Sequence, residues 1–388
     1  MIDNAPGNSR IVAQRVLRRV LLFLISIVLA LVLAFCVMKT WRLLDWRNVG
    51  AAGIAEVVAV PIRGAVQYVF IRGYDRRKPV LLFFPGGPGE SYVPREAEFS
   101  RGLEHDFVMA QVELGVGKAE VYKASPNIQE FAMDGEAIVD VLRKEFGGRP
   151  IYLVGHSLGS VQALLIAQHS PQKIAAIATI GQVVDWRRGN ELAAAEIRSR
   201  ASARGDQNTL AQLNTFPHTL TLAKDPLMID FSSAGKQRAL ERQYGMDLIT
   251  GRHTPEVHWF LYVTAPNHSL RQSCNLAYQV PLCQTIAGSK DWFGEWHNLI
   301  PGIVGFDAER DVPELKVPFL AIVGSNDWVS PAVLVKEYEE KLIAPSKQFF
   351  AIEEAGHYAH FDNPAAFQRA IKAAWVPART PNAGAPLR

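Results

Sequence analysis

Cysteine is almost absent from this sequence: 388 residues contain three. That excludes a scaffold built on disulfides. A charge imbalance is also missing. Lys and Arg number 41 against 38 Asp and Glu, a net charge of +3. This excludes the strongly basic surface that a nucleic-acid partner requires. Gly and Pro are present at ordinary levels, 29 and 23, which excludes collagen-like and low-complexity chains. Hydrophobic residues make up 48% of the chain, too many for a disordered one. One feature is in excess: a single charge-free apolar run.

The run extends from Val20 to Met38, 19 residues. As a helix it would be about 28 Å long, close to the hydrocarbon thickness of a bilayer. Arg10, Arg15, Arg18 and Arg19 precede it, and Lys39, Trp41, Arg42 and Trp46 follow. Basic residues before the run and aromatics after it predict a membrane-spanning signal anchor over 20–38, behind a basic tail over 1–19. Ala34-Phe35-Cys36 is a poor exit for a cleaved signal peptide. The four leading arginines place the N-terminus in the cytoplasm and the rest outside, in the periplasm of a bacterium. Lys39, Arg42 and Arg47 support the opposite, cytoplasm-facing orientation. In an oxidising compartment Cys274 and Cys283 can close a disulfide; two separate buried thiols is the other reading.

Beyond the run, strands alternate with helices. Strands are expected at Glu56–Pro61, Val66–Arg72, Pro79–Phe84, Phe107–Val112, Pro150–Val154, Ile174–Ile180, Val317–Val323 and Gln348–Ile352. Helices are expected at Ile128–Phe146, Leu158–His169, Pro331–Leu342 and Phe367–Trp375. Pro79–Phe84 is continuously apolar, as a strand covered on both faces should be. The pattern implies an α/β fold with a mostly parallel sheet. The rhythm breaks over 185–311, where Asn190–Ala203 looks helical. That segment reads as a helical cap inserted between two core parts, 50–184 and 312–376. A Pro- and Ala-rich disordered tail is expected over 377–388.

The chemistry gathers at three turns. Gly155-His156-Ser157-Leu158-Gly159 follows a strand and opens a helix, the context of a nucleophile elbow. A serine hydroxyl needs a base, because its own pKa lies far above 7. Asp327 follows the strand Val317–Val323 and His357 follows Gln348–Ile352, so Ser, acid and His come in hydrolase order. His360 falls within the next helix and is set aside. His357 and His360 alone make a poor metal site, and neither a metal nor an organic cofactor is called for. Oxyanion donors would be the Leu158 N–H and the Gly87 N–H in Pro85-Gly86-Gly87-Pro88-Gly89, where the prolines have no N–H to give.

PVLLFFPGGPGES, GHSLGS, GSNDWVSP and EAGHYAHFDNP, in this order, resemble the α/β-hydrolase superfamily. The GGPG turn and Gly-Gln-Val-Val-Asp-Trp at 181–186 resemble its proline iminopeptidase-like branch. The resemblance covers 50–376. It implies an eight-stranded α/β-hydrolase core, a helical cap and serine hydrolase chemistry on a small ester, amide or short peptide. Two positions depart from the branch. Pro85 stands where it usually has His. Gln111-Val112-Glu113-Leu114 replaces the start of Asp-Gln-Arg-Gly-x-Gly-x-Ser.

An exopeptidase would need acids to hold the substrate's ammonium group, and Asp185, Glu191, Glu196 and Glu295 are available. Asp185, Glu295 and Trp292 are the substrate-facing candidates. The cap aromatics Trp186, Phe216, Trp259, Phe260, Trp292, Phe293 and Trp296 could line an acyl pocket or form the cap's own core. The departures leave two other functions open: a non-catalytic binding or sensing protein, and an acyltransferase using the same triad.

Overall fold

The computed structural model describes residues 7–217, 219–246, 255–277, 280–288 and 292–376. The strands are β1 (Ile54–Ile62), β2 (Ala65–Gly73), β3 (Val80–Phe84), β4 (Val108–Glu113), β5 (Ile151–His156), β6 (Ile174–Ile180), β7 (Thr221–Leu222), β8 (Asp225–Ile229), β9 (Phe319–Gly324) and β10 (Lys347–Ile352). Eight form one sheet in the order β1-β2-β4-β3-β5-β6-β9-β10. The pairs β1–β2 and β2–β4 are antiparallel, and every pair from β4 to β10 is parallel. The β1–β2 turn is Arg63-Gly64, with φ of 50° and 73°, the paired left-handed geometry that suits the twist of a hairpin.

Period-two alternation deals the residues of β3 to the two faces of the sheet. Val80, Leu82 and Phe84 enter one core, and Leu81 and Phe83 the other. Both faces are covered, so all five residues are buried and the strand reads as a continuous apolar run. The first core is closed by α2 (Ile128–Glu145), α3 (Leu158–His169) and α10 (Ala332–Lys341), and the second by α11 (Pro364–Trp375). Helix α2 starts where its sequence dictates. Asn127 Oδ1 accepts the Glu130 N–H and Glu130 Oε2 accepts the Asn127 N–H, both at 2.9 Å, a capping box.

Between β6 and β9 lie α4 (Trp186–Arg204), α5 (Phe231–Gln243), α6 (Pro255–Val263), α7 (Leu270–Leu276), α8 (Pro281–Ala287) and α9 (Ile300–Gly305). The small β7–β8 hairpin also sits here, an element absent from the expected pattern. Cys274 and Cys283 are joined as a disulfide between α7 and α8, their Cα atoms 4.6 Å apart.

Helix α1 runs from Gly7 to Arg47 and is long and apolar enough to cross a membrane. It does not stop at the charged residues that end the apolar run. Lys39 Nζ donates to Ala265 O at 3.1 Å, and Arg42 donates to Leu261 O, Pro94 O and Thr264 Oγ1. Trp41 and Trp46 do not form a common aromatic belt, which corrects the expectation from sequence. Trp41 is exposed, but Trp46 is buried and its Nε1 donates to Glu96 Oε1 at 3.1 Å. Five residues turn a helix by about 140°, so the two rings face different ways. The expected tail over 377–388 lies outside the described residues.

Candidate active site

Strand β5 ends in a strained turn. Ser157 has φ 52° and ψ −122°, a conformation costly for a residue with a Cβ. The flanking glycines are steric necessities. A Cβ on Gly155 would lie 2.2 Å from Gly159 O, and one on Gly159 would lie 2.3 Å from Phe84 O. The Ser157 N–H donates to Ile180 O at 2.9 Å, which ties the turn to the end of β6. Leu158 opens α3, so its N–H is one of the four that a helix N-terminus leaves without an internal partner.

Asp327 and His357 meet beyond the ends of β9 and β10. Asp327 Oδ2 lies 2.9 Å from His357 Nδ1. Its Oδ1 accepts the Val329 and Ser330 N–H groups, each at 2.9 Å. One carboxylate therefore caps a turn and orients the imidazole. A carboxylate at Nδ1 calls for a hydrogen there, which leaves Nε2 as the basic nitrogen. His360 is elsewhere, in the helix Ala359–Asp362, its ring packed against Phe83 and Phe99.

Strand order explains a further glycine. β6 lies between β5 and β9, so the residue after it passes between the nucleophile turn and the Asp–His pair. That residue is Gly181, with φ 50°. A Cβ there would lie 2.8 Å from His357 Nδ1 and 3.0 Å from Asp327 Oδ2.

The Pro85-Gly86-Gly87 turn follows β3, the other neighbour of β5. A Cβ on Gly86 would lie 2.9 Å from His156 Nδ1 and 3.1 Å from Ser157 Cβ. The Gly86 N–H donates to Tyr92 Oη at 3.3 Å. Gly87, with φ 111°, lines a cavity together with Ser157 and Leu158.

Beneath the turn is a polar network that sequence reading did not anticipate. Tyr92 Oη lies 2.7 Å from both Glu90 Oε2 and His156 Nδ1, and Tyr358 Oη donates to Glu90 Oε1 at 2.9 Å. His156 Nε2 lies 2.8 Å from His357 O, so the residue before Ser157 holds the loop that carries His357. Burial, followed by the nearby His357, keeps the His156 pKa well below its usual value. Burial likewise raises the Tyr92 and Tyr358 hydroxyls well above theirs.

The cavity at Ser157 is about 230 Å³. Its walls are largely apolar: Val183, Val184, Trp186, Ile229, Phe231, Ile300, Ile303 and Leu334. Of the aromatics weighed for an acyl pocket or for the segment's own core, Trp186 is the one in the wall among those with described side chains. Trp296 packs on Tyr122 and Phe131, Phe216 lies against the cap's own core, and Phe260 is half-buried. The side chains of Trp292 and Phe293 lie outside the described residues. Phe231, which sequence reading passed over, is part of the wall. Asp185 reaches the cavity, but its Oδ1 is taken by the Arg187 and Arg188 N–H groups, which caps α4. Glu191, Glu196 and Glu295 are not among the lining residues.

The second departure noted in the sequence has a structural counterpart. Glu113, at the end of β4, is buried. Its carboxylate lies 2.9 and 3.0 Å from His268 Nε2 and accepts from Ser91 Oγ and the Lys118 N–H, both at 2.7 Å. His268 Nδ1 lies 2.8 Å from Pro266 O. Both ring nitrogens face acceptors. A Cβ on Gly117 would lie 2.5 Å from the Glu113 carboxylate, so that glycine makes room for it. His268 carries no motif in the sequence. Only its place in the fold reveals it.

The profile of the α/β-hydrolase fold family matches residues 79–364. A probable aminopeptidase of Bacillus subtilis (strain 168) is 26% identical over 333 residues, 82% of this chain and 95% of that protein. The crystal structure of a proline iminopeptidase-related protein from Thermus thermophilus superposes with a TM-score of 0.54 at 20% identity, covering 83% of this chain and 97% of the other. That of a membrane phospholipase A gives 0.55 at 17% identity, covering 93% and 97%. With the sheet order, the nucleophile turn and the family match in agreement, this chain belongs to the α/β-hydrolase superfamily.

Proposed function

We propose that the chain is a membrane-anchored serine hydrolase that cleaves esters of apolar acyl groups through an acyl-enzyme. Ser157 Oγ attacks the carbonyl carbon while His357 Nε2 takes its proton. Asp327 keeps the imidazole in the tautomer that can accept it and stabilises the cation that forms. The Gly87 and Leu158 N–H groups stabilise the oxyanion. The His357 cation then protonates the leaving group. Water, deprotonated by the same nitrogen, releases the acid. α1 holds the enzyme to the bilayer, with the hydrolase on the extracytoplasmic side.

The observation that carries this reading is the strained Ser157 turn, set at an apolar cavity beside the end of β6, with the Asp327–His357 pair beyond it. The cavity also favours an ester over an N-terminal peptide. Holding an ammonium group in an apolar pocket needs an anionic partner. Among the described residues, the one carboxylate in the wall, Asp185, is already committed to capping α4. The aminopeptidase relative supports the amide reading instead, and substrate profiling separates the two. Aryl esters of increasing acyl length should be turned over, and aminoacyl amides with a free N-terminus should not. A fluorophosphonate should label the chain, and Ser157→Ala should abolish the labelling. Full labelling of that variant would overturn the assignment.

A further inference from the structure

We propose that α6, α7 and α8 form a membrane-docking face, seated in the interfacial layer of the bilayer that α1 crosses. This rests on the reading of α1 as an anchor and goes beyond it. A single span fixes only that the hydrolase is tethered. The packing at the end of α1 fixes which surface meets the lipid.

The first observation is depth. Phe35 of α1 packs against an apolar cluster to which these three helices give Tyr262, Val263, Cys274, Leu276 and Cys283, joined by Val116 and Ala277. Phe35 lies three residues before Met38, where the charge-free run ends. That is about 4.5 Å along the helix axis. If the run fills the hydrocarbon, the helices that touch Phe35 sit at its boundary.

The second is rigidity. Arg42 and Lys39 of α1 donate to the carbonyls of Leu261 and Ala265, and Arg42 also to Thr264 Oγ1. The Cys274–Cys283 disulfide ties α7 to α8. The group cannot swing away from α1 without breaking buried contacts.

The third is the surface chemistry. The same helices leave Trp259 at 47%, Leu270 at 41% and Leu282 at 63% exposure, and Trp41 of α1 is at 60%. Trp and Leu at this depth match the aromatic and aliphatic composition of a membrane interface. Beyond Glu256 in the first turn of α6, the three helices carry no Asp or Glu. Arg271 of α7 is exposed. A helix group with an exposed cation and a single acid suits the anionic headgroups of a phospholipid leaflet.

The test uses the full chain with Cys36→Ser, carrying one added cysteine labelled with NBD, in nanodiscs of phosphatidylcholine and phosphatidylglycerol. Leu282→Cys reports the proposed face, and Leu29→Cys reports the span. Val333→Cys, exposed on α10 at the opposite edge of the sheet from α1, is the control. Melting temperatures confirm that each variant is folded. Lipids with nitroxides near the headgroup should remove most of the emission at 282. Mid-chain nitroxides should do so at 29, and neither should affect 333. Quenching at 29 with full emission at 282 would overturn the docking face and leave the anchor standing. Quenching at 282 alone would support the face and overturn the span. Full emission at both positions would overturn both.

Discussion

The Asp327 carboxylate faces two ways: Oδ2 lies 2.9 Å from His357 Nδ1, and Oδ1 holds the Val329 and Ser330 N–H groups. Asp327→Asn keeps one acceptor and presents an amide N–H on the other side. The amide oxygen satisfies the turn, so the NH₂ meets His357 and favours the wrong tautomer. Ester turnover should fall by roughly 10³- to 10⁴-fold. The melting temperature should change little. An equal loss of fold and rate would indicate a structural role alone.

Gly181→Ala tests the passage between β5 and β9. The added methyl would sit 2.8 Å from His357 Nδ1, on a residue with φ 50°. The pair has to move, and misplacing a catalytic group by about 1 Å costs on the order of 100-fold in rate. The backbone strain costs about 1 kcal/mol as well. Steady-state kinetics and a urea midpoint separate the two effects. Unchanged kcat with normal stability would contradict this geometry.

The buried Glu113–His268 contact should behave as a coupled pair. His268→Leu leaves a carboxylate in the core without its main partner and should destabilise the fold by about 3–5 kcal/mol. The double variant Glu113→Leu/His268→Leu removes both polar groups and should recover much of that loss. A double-mutant cycle from denaturant unfolding gives the coupling. Additive single effects would show that the two residues act independently.

Glu96 provides a pH prediction. Burial pushes its pKa up to about 7 despite the nearby Arg72, Arg101 and Arg42. In the unfolded chain a glutamate titrates near 4.5. Between those values the native state keeps a proton that the unfolded state has released. Stability therefore falls as pH rises through this window and levels off above it. Glu96→Gln keeps an oxygen for Trp46 Nε1 and removes the titration. Its stability relative to the parent should rise from about pH 4.5 to about pH 8 by a few kcal/mol at most, at about 1.4 kcal/mol per pKa unit. Parallel curves for the two proteins over that range would refute the assignment.

Much of the architecture was legible because it depends on local pattern. A doubly covered strand must be continuously apolar, which is why the expected strands Pro79–Phe84 and Val317–Val323 overlap Val80–Phe84 and Phe319–Gly324. The Ser157 turn was legible because Gly155 answers a steric demand within five residues, whereas Gly159 also makes room for Phe84 O on the neighbouring strand. The insertion was legible chiefly as a break in rhythm. Its two-residue strand β7 is too short to carry a period.

The sequence by itself determined the sheet, the apolar helix and the order Ser157, Asp327, His357, since each follows from spacing along one stretch of chain. Tertiary structure alone decided that Gly181 must lack a side chain and that Trp46 is an internal anchor. It alone joined Glu113 to His268 across 155 positions. The physical reason is the same in each case. These roles are set by what crosses the residue from another strand or helix, and no periodicity along the chain encodes a neighbour that the fold brings from far away.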